Sequence, residues 1–166
     1  MSAPEARRVK ANLAFVFSHP AHFIAFGFGS GLAPIAPGTF GSLVGIALAW
    51  WLLPACGNTI YAAILVAWFG IGVWACEVTG KTLGIADYGG IVWDEVVAMM
   101  LVLWFVPLTP FWIAAAFFIF RFFDIFKLPP ASYFDRQWKH GLGVMMDDIA
   151  AAGHSLIVLA ILLRIF

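Results

Sequence analysis

The chain has 166 residues, of which 63% are apolar and only 11% are charged, and its formal net charge is zero. A water-soluble domain carries about a quarter of its residues as charged side chains, so this composition indicates a protein surrounded by lipid. A zero net charge offers no basic face for nucleic acid, and this length predicts a single membrane-embedded domain over residues 1–166.

The N-terminal 39 residues are the first predicted element. They contain Arg7, Arg8 and Lys10, followed by an apolar stretch that is broken at Pro20. This stretch lacks a small-residue cleavage site, which argues against a signal peptide. It is too short to cross a bilayer twice and ill-suited to crossing once. We therefore predict an interfacial or re-entrant segment that leads into a glycine-rich loop.

Five apolar segments follow, each about 16 to 19 residues long, which is near the lower limit for crossing a bilayer. Pro107 and Pro110 separate the third segment from the fourth, because prolines at this spacing favour a helical hairpin. We predict an all-α, polytopic membrane protein with four to five transmembrane helices. The predicted helices are at about 40–56, 60–77, 91–106, 110–126 and 148–166.

The basic residues predict the orientation of this bundle. If the segments alternate in direction, loops 1–39, 77–90 and 127–147 lie on one side of the membrane and hold seven of the nine Lys and Arg residues. The opposite loops hold none, and only Arg164 near the C-terminus departs from the pattern. This asymmetry places the three long loops in the cytoplasm.

All nine acidic residues lie in those same loops or in the helix ends that border them. A charged side chain inside a helix costs about 2.5–3.5 kcal/mol on insertion scales, so Asp94, Glu95, Arg121 and Asp124 are expected to face a shared polar pocket. Two simpler interpretations stay open. Asp147 and Asp148 suit a helix start as caps, and Arg121 with Asp124 suits a structural ion pair.

The number of carboxylates exceeds what capping and pairing require. Converging carboxylates repel one another unless a cation binds between them, and oxygen-only ligands favour Mg²⁺. Arg121 and Lys127 supply positive charge for a phosphate. The glycine-rich segment 27–42 offers backbone N–H groups at the start of the first helix, with the candidate phosphate-binding residues Gly38, Thr39 and Ser42.

Four stretches resemble the bacterial phosphatidylglycerophosphatase A family. They are GFGSGLAPIAPGTFGS at 27–42, IVWDE at 91–95, FRFFDIFKLPP at 120–130 and DRQWKHGLGVMMDDIAAAG at 135–153. The resemblance implies a multi-pass enzyme of the bacterial inner membrane whose active site faces the cytoplasm. Its expected reaction is the Mg²⁺-dependent hydrolysis of phosphatidylglycerophosphate to phosphatidylglycerol and phosphate.

The resemblance also suggests roles for single residues. The expected catalytic residues are Asp94, Glu95, Arg121, Asp124 and Lys127. The expected metal ligands are Asp94, Glu95, Asp124, Asp147 and Asp148, with Glu77 as a further candidate, and Arg121 and Lys127 are expected to serve the phosphate.

Several alternatives remain at this stage. Neither Cys56 nor Cys76 begins a Cys-x5-Arg loop, so a phosphocysteine route is excluded. Metal-activated water is favoured as the nucleophile, and an Asp nucleophile such as Asp94 is the alternative. A small transporter would place its charged residues near the membrane midplane, and a structural subunit would leave the excess of carboxylates unexplained.

Overall fold

The computed structural model describes residues 11–166, so Arg7, Arg8 and Lys10 lie outside the described residues. The described chain is helical and contains no strand, which confirms the all-α prediction. Its elements are α1 (Leu13–Phe17), α2 (Pro20–Ala25), a 3-10 segment (Gly27–Leu32), α3 (Pro37–Leu83), α4 (Trp93–Trp104), α5 (Pro110–Phe126), α6 (Ala131–Gln137) and α7 (Gly141–Ile165).

The long helix α3 is interrupted at Gly57, where the backbone adopts φ 71° and ψ 171°. This region of backbone space is open almost only to glycine. It divides α3 into a first arm, residues 37–56, and a second arm, residues 58–83. These arms correspond to the predicted helices at 40–56 and 60–77.

The first arm packs in parallel with the start of α4. A Cβ atom at Gly41 would lie 2.8 Å from Val92, and one at Gly45 would lie 2.6 Å from the Val96 carbonyl oxygen. Since both sequence numbers rise together along this contact, the two helices run in the same direction. The small residues at 41 and 45 allow this close approach.

The second arm runs antiparallel to α4. Near the start of α4, the Trp93 indole N–H donates to the Trp68 carbonyl at 3.1 Å. At its far end, the Trp104 indole N–H donates to Asn58 Oδ1 at 3.2 Å. Both arms therefore contact α4 and run in opposite directions, which makes α3 a helical hairpin that turns at Gly57.

Helices α5 and α7 complete an alternating bundle around α4. The chain reverses between α4 and α5, where the Thr109 side chain caps α5 by accepting from the Trp112 N–H. Helix α7 starts beside the end of the second arm, where the Gly141 N–H donates to Glu77 Oε2 at 2.6 Å. The starts of the first arm, α4 and α7 therefore lie at the same end of the bundle as the ends of the second arm and α5.

The exterior of the bundle is largely apolar. Exposed aromatic and aliphatic side chains occur on α3, α5 and α7, among them Trp51, Val66, Phe118, Ile125 and Ile157. Two helices, α3 and α7, are long and apolar enough to cross a membrane. The larger number of four to five crossings remains a prediction.

Candidate active site

Helix α4 contributes two acidic residues from its first turn, Asp94 and Glu95. The start of the helix is fixed by a backbone hydrogen bond from the Val92 N–H to the Ala25 carbonyl of α2, at 2.8 Å. Asp94 is only 7% exposed, and Glu95 is partly buried. Carboxylates are favourable at a helix N-terminus, where the free N–H groups and the helix dipole stabilise negative charge.

Helix α5 places Arg121 and Asp124 on one face at its C-terminal end. The Arg121 guanidinium forms an ion pair with Asp124. Its Nη1 also lies 3.6 Å from Glu95 Oε1 on α4. Arg121 is therefore shared between carboxylates of two helices, so it is more than the partner of a single local ion pair.

Helix α7 begins at Gly141, seven residues before the predicted start at 148. Asp147 and Asp148 consequently lie about two turns inside the helix, and they are 4% and 3% exposed. The interpretation of this pair as helix caps is wrong, because the free N–H groups of α7 belong to an earlier turn.

The carboxylates of Asp94, Glu95 and Asp148 form a first acidic group. One oxygen from each lies within 4.8 Å of the others. Asp94 Oδ1, Glu95 Oε2 and Asp148 Oδ2 are buried and accept no hydrogen bond from the described residues, and Arg121 Nε is buried without a partner in the same part of the chain. An unsatisfied buried polar group costs about 1–3 kcal/mol, and more when it is charged. The first acidic group therefore suits a bound cation, which would satisfy these oxygens.

A second acidic group surrounds Lys127, the residue that ends α5 in a left-handed conformation with φ 43°. Its ammonium nitrogen lies 2.6 Å from Asp147 Oδ2, 2.7 Å from Asp135 Oδ1 and 3.8 Å from Asp87 Oδ2. Burial alone would lower the pKa of Lys127, but the neighbouring carboxylates outweigh it and raise that pKa. The pKa of Asp135 is lowered: its burial acts in the opposite sense but is outweighed by the hydrogen bond and charge of Lys127.

Sequence reasoning did not single out Asp87 or Asp135 as site residues. Asp87 lies in the loop between α3 and α4, and Asp135 lies on the short helix α6. Neither lies on a helix that carries another acidic residue. The only sequence signal for them was the location of all acidic residues at one side of the bundle.

The glycine-rich segment meets the first acidic group at Gly38. A Cβ atom built on Gly38 would clash with Glu95 Oε1 and would lie 3.0 Å from Arg121 Nη1. Two nearby groups are used within α3, since the Thr39 N–H donates to Ala36 at 2.9 Å and the Ser42 hydroxyl donates to the Gly38 carbonyl at 3.0 Å. The phosphate-binding roles of Gly38, Thr39 and Ser42 stay predictions.

Glu77 lies apart from both acidic groups. Its carboxylate accepts from the Gly141 N–H at 2.6 Å and lies 2.8 Å from the Lys81 ammonium. These partners account for Glu77 as a cap of α7. The structure therefore does not bring it together with the other candidate metal ligands.

Comparison with known proteins gives matches over most of the chain. Residues 23–163 match the family model of phosphatidylglycerophosphatase A. The chain is 45% identical to the phosphatidylglycerophosphatase A of Haemophilus influenzae, covering 84% of this chain and 86% of the relative, and 44% identical to that of Escherichia coli, covering 81% and 78%. It is 40% identical to a protein of Bacteroides thetaiotaomicron that carries the provisional name phosphatidylinositol-3-phosphatase, covering 83% and 90%. No solved structure matches the chain.

Proposed function

Because the chain belongs to the phosphatidylglycerophosphatase A family, we propose that it hydrolyses phosphatidylglycerophosphate to phosphatidylglycerol and phosphate. One observation supports the assignment of the reaction to a particular site. Three buried carboxylate oxygens without hydrogen-bond partners among residues 11–166 lie at the same end of the bundle as the partly buried Arg121 guanidinium. This arrangement offers a cation and a phosphate neighbouring positions.

The first acidic group fits Mg²⁺. Asp94, Glu95 and Asp148 provide only oxygen donors, which a hard divalent ion prefers, and they carry more negative charge than Arg121 neutralises. Asp124 lies beside them through its ion pair with Arg121. When bound there, Mg²⁺ would neutralise charge on phosphoryl oxygens and lower the pKa of a water molecule.

The protein groups around that position have separate tasks. Arg121 holds the phosphoryl group, because its planar guanidinium can donate two parallel hydrogen bonds to phosphate oxygens. Gly38 lets α3 pack closely against Glu95 and Arg121, since a side chain at this position would clash with Glu95. A carboxylate of the first acidic group accepts the proton of the attacking water. An attack by Asp94 itself is the alternative route.

We place the site at the cytoplasmic face of a membrane that the bundle crosses with its alternating helices. The main crossing segments are α5, α7 and the two arms of α3. The 12-residue helix α4 is about 18 Å long and mostly buried between them. Four basic residues of the described chain, Lys81, Lys127, Arg136 and Lys139, lie in the loops and helix ends at the site end, which favours the cytoplasm for that end.

Phosphate release tests the proposal directly. The purified protein in detergent micelles is given phosphatidylglycerophosphate with Mg²⁺, and a parallel sample receives a chelator. We expect release that requires the divalent ion and returns when Mg²⁺ is added back. Release that persists at the same rate in chelator would contradict the metal role, and no release with any divalent ion would contradict the reaction.

The Bacteroides relative supports a second candidate substrate, an inositol phospholipid with a phosphate on its ring. Both lipids carry a phosphomonoester on a polyol headgroup, so the same Arg121 and carboxylates suit either. Comparing kcat/KM for phosphatidylglycerophosphate and phosphatidylinositol 3-phosphate in the same micelles separates the two. We expect phosphatidylglycerophosphate to be the better substrate, and a reversed ratio would favour the second candidate.

A further inference from the structure

The two acidic groups meet through adjacent residues of α7. Asp148 belongs to the first acidic group, and Asp147 belongs to the second, with Asp87 and Asp135. Each group has three carboxylate oxygens within 4.8 Å of one another, which by donor type is a set that could hold a divalent ion. The two groups differ in what lies among the carboxylates. In the second acidic group, the ammonium of Lys127 lies among the carboxylates.

We propose that Lys127 is a built-in cation that closes the second acidic group. The chain then binds a single divalent ion, in the first acidic group, and Lys127 takes the place of a second ion. This inference rests on the proposed function only for the ion in the first group. It also changes the expected role of Lys127 from a phosphate ligand to a positioning residue that acts through Asp147.

The distances around Lys127 support this role. The ammonium lies at hydrogen-bonding distance from Asp147 and Asp135, at 2.6 and 2.7 Å, and within ion-pair distance of Asp87, at 3.8 Å. An ammonium has three N–H donors, so three carboxylates can be its partners at once. By contrast, the first acidic group holds buried oxygens without partners among the described residues.

The space beside the second acidic group leads to the same conclusion. The cavity lined by Asp87, Asp135 and Asp147 measures about 10 Å³. That volume holds at most one water molecule. Mg²⁺ usually keeps several of its waters, so this cavity lacks room for a hydrated ion.

The backbone shows how Lys127 affects the first acidic group. While Asp147 Oδ2 accepts from Lys127, its Oδ1 accepts from the Asp148 N–H at 2.9 Å. Hydrogen bonds to both carboxylate oxygens therefore fix the orientation of the Asp147 side chain. The next residue, Asp148, belongs to the first acidic group. Lys127 thereby links the end of α5, α6 and the α3–α4 loop to the α7 segment that carries Asp148.

The number of bound ions tests the inference. Mn²⁺ is the probe, titrated into the purified full-length protein and counted from the loss of its free-ion signal in electron paramagnetic resonance. We expect one ion per chain in the parent protein. We expect one additional, weaker ion in Lys127→Met, because this change keeps the unbranched apolar stem and removes the charged end of the side chain. Adding Asp135→Asn to Lys127→Met should abolish the additional ion.

Lys81→Met is the matched control, because Lys81 pairs with the single carboxylate of Glu77. We expect it to bind the same number of ions as the parent. Two ions in the parent, or an equal number in the parent and Lys127→Met, would overturn the inference. The parent titration tests it even if Lys127→Met fails to fold. Because the readout is a count of ions, a failure of phosphate release would overturn the proposed function separately.

Discussion

At the scale of single residues, the first acidic group combines burial with like charge. Asp94 and Asp148 come from different helices and are 7% and 3% exposed, yet each has an oxygen with no hydrogen-bond partner in the described chain. Like charges at this separation destabilise one another in a poorly solvated environment. Apolar residues of similar size at these positions would avoid this cost, so the group is best explained by a ligand.

Asp94→Asn tests the central carboxylate of that group. Asparagine has nearly the same shape but no charge, so we expect the fold to persist and phosphate release to fall by about 10²–10⁴-fold, the range for a lost acid–base or metal-bound group. Release is measured with phosphatidylglycerophosphate, and thermal unfolding in detergent confirms the fold. Asp87→Asn is the matched control, because Asp87 is more exposed and lies 3.8 Å from its cation, so its loss should be far smaller. A fully active Asp94→Asn protein would remove Asp94 from the site.

Gly38→Ala tests the contact between the glycine-rich segment and the site. The added methyl group would clash with Glu95 and press on Arg121, so both side chains must move. Because a misplacement of about 1 Å can cost roughly 10²-fold in rate, we expect turnover to fall by at least tenfold. Gly153→Ala on α7 is the control, since its Cβ would meet nothing within 4 Å, and it should leave turnover unchanged. Equal activity of the two variants would show that Gly38 is not part of the site.

At the scale of helices, the contact between Glu77 and the start of α7 joins two elements of the bundle. Glu77→Gln removes the charge that faces the α7 N-terminus and the Lys81 ammonium. We expect a loss of about 0.3–1 kcal/mol in stability, the usual worth of a carboxylate at a helix N-terminus, with little change in phosphate release. Thermal unfolding and phosphate release on the same preparation separate the two effects. A loss of Mg²⁺-dependent release without a loss of stability would instead return Glu77 to the metal site.

The helices also show what the sequence could predict. Hydrophobic segments bounded by turn residues gave α5 at its observed limits, 110–126, and located the first arm of α3 to within three residues. The second arm was predicted to end at 77, six residues before its observed end at Leu83. The start of α7 was missed by seven residues, because the glycines at 141 and 143 resemble a loop until their packing is known. A Cβ at Gly141 would overlap the second arm, and one at Gly143 would overlap Trp138, so these glycines are required by close contacts that the local sequence pattern does not show.

The candidate site was predictable to a similar extent. Asp94, Glu95, Arg121, Asp124 and Asp148 come together as expected, because charged residues in apolar helices must share a polar environment. The division into two acidic groups was not predictable, since it depends on α6 bringing Asp135 next to Lys127. Lys127 ends α5 and Asp135 lies on α6, so helical periodicity does not predict that they meet.

At the scale of the whole molecule, charge is distributed unequally between the two ends of the bundle. Both acidic groups and most basic residues of the described chain lie at one end, and the opposite end carries the turn at Gly57 and the α4–α5 connection. A membrane protein with this asymmetry should insert with the charged end in the cytoplasm. A lipid phosphate would then reach the site from the headgroup layer of the inner leaflet.

Cysteine labelling in intact cells tests that orientation. In a Cys56→Ser background, with the buried Cys76 left in place, a single cysteine is introduced at exposed Arg136 of α6 or at exposed Thr59 beside the turn. We expect a membrane-impermeant maleimide to label Thr59→Cys in spheroplasts and to label Arg136→Cys only after the cells are permeabilised, because the two positions lie at opposite ends of the bundle. Labelling of Arg136→Cys in sealed spheroplasts would reverse the orientation. Labelling of both positions from the same side would rule out an odd number of crossings between them. Labelling of Arg136→Cys from outside would contradict the assignment of the site to the cytoplasmic face, whereas labelling of both positions only after permeabilisation would contradict the proposed crossings alone.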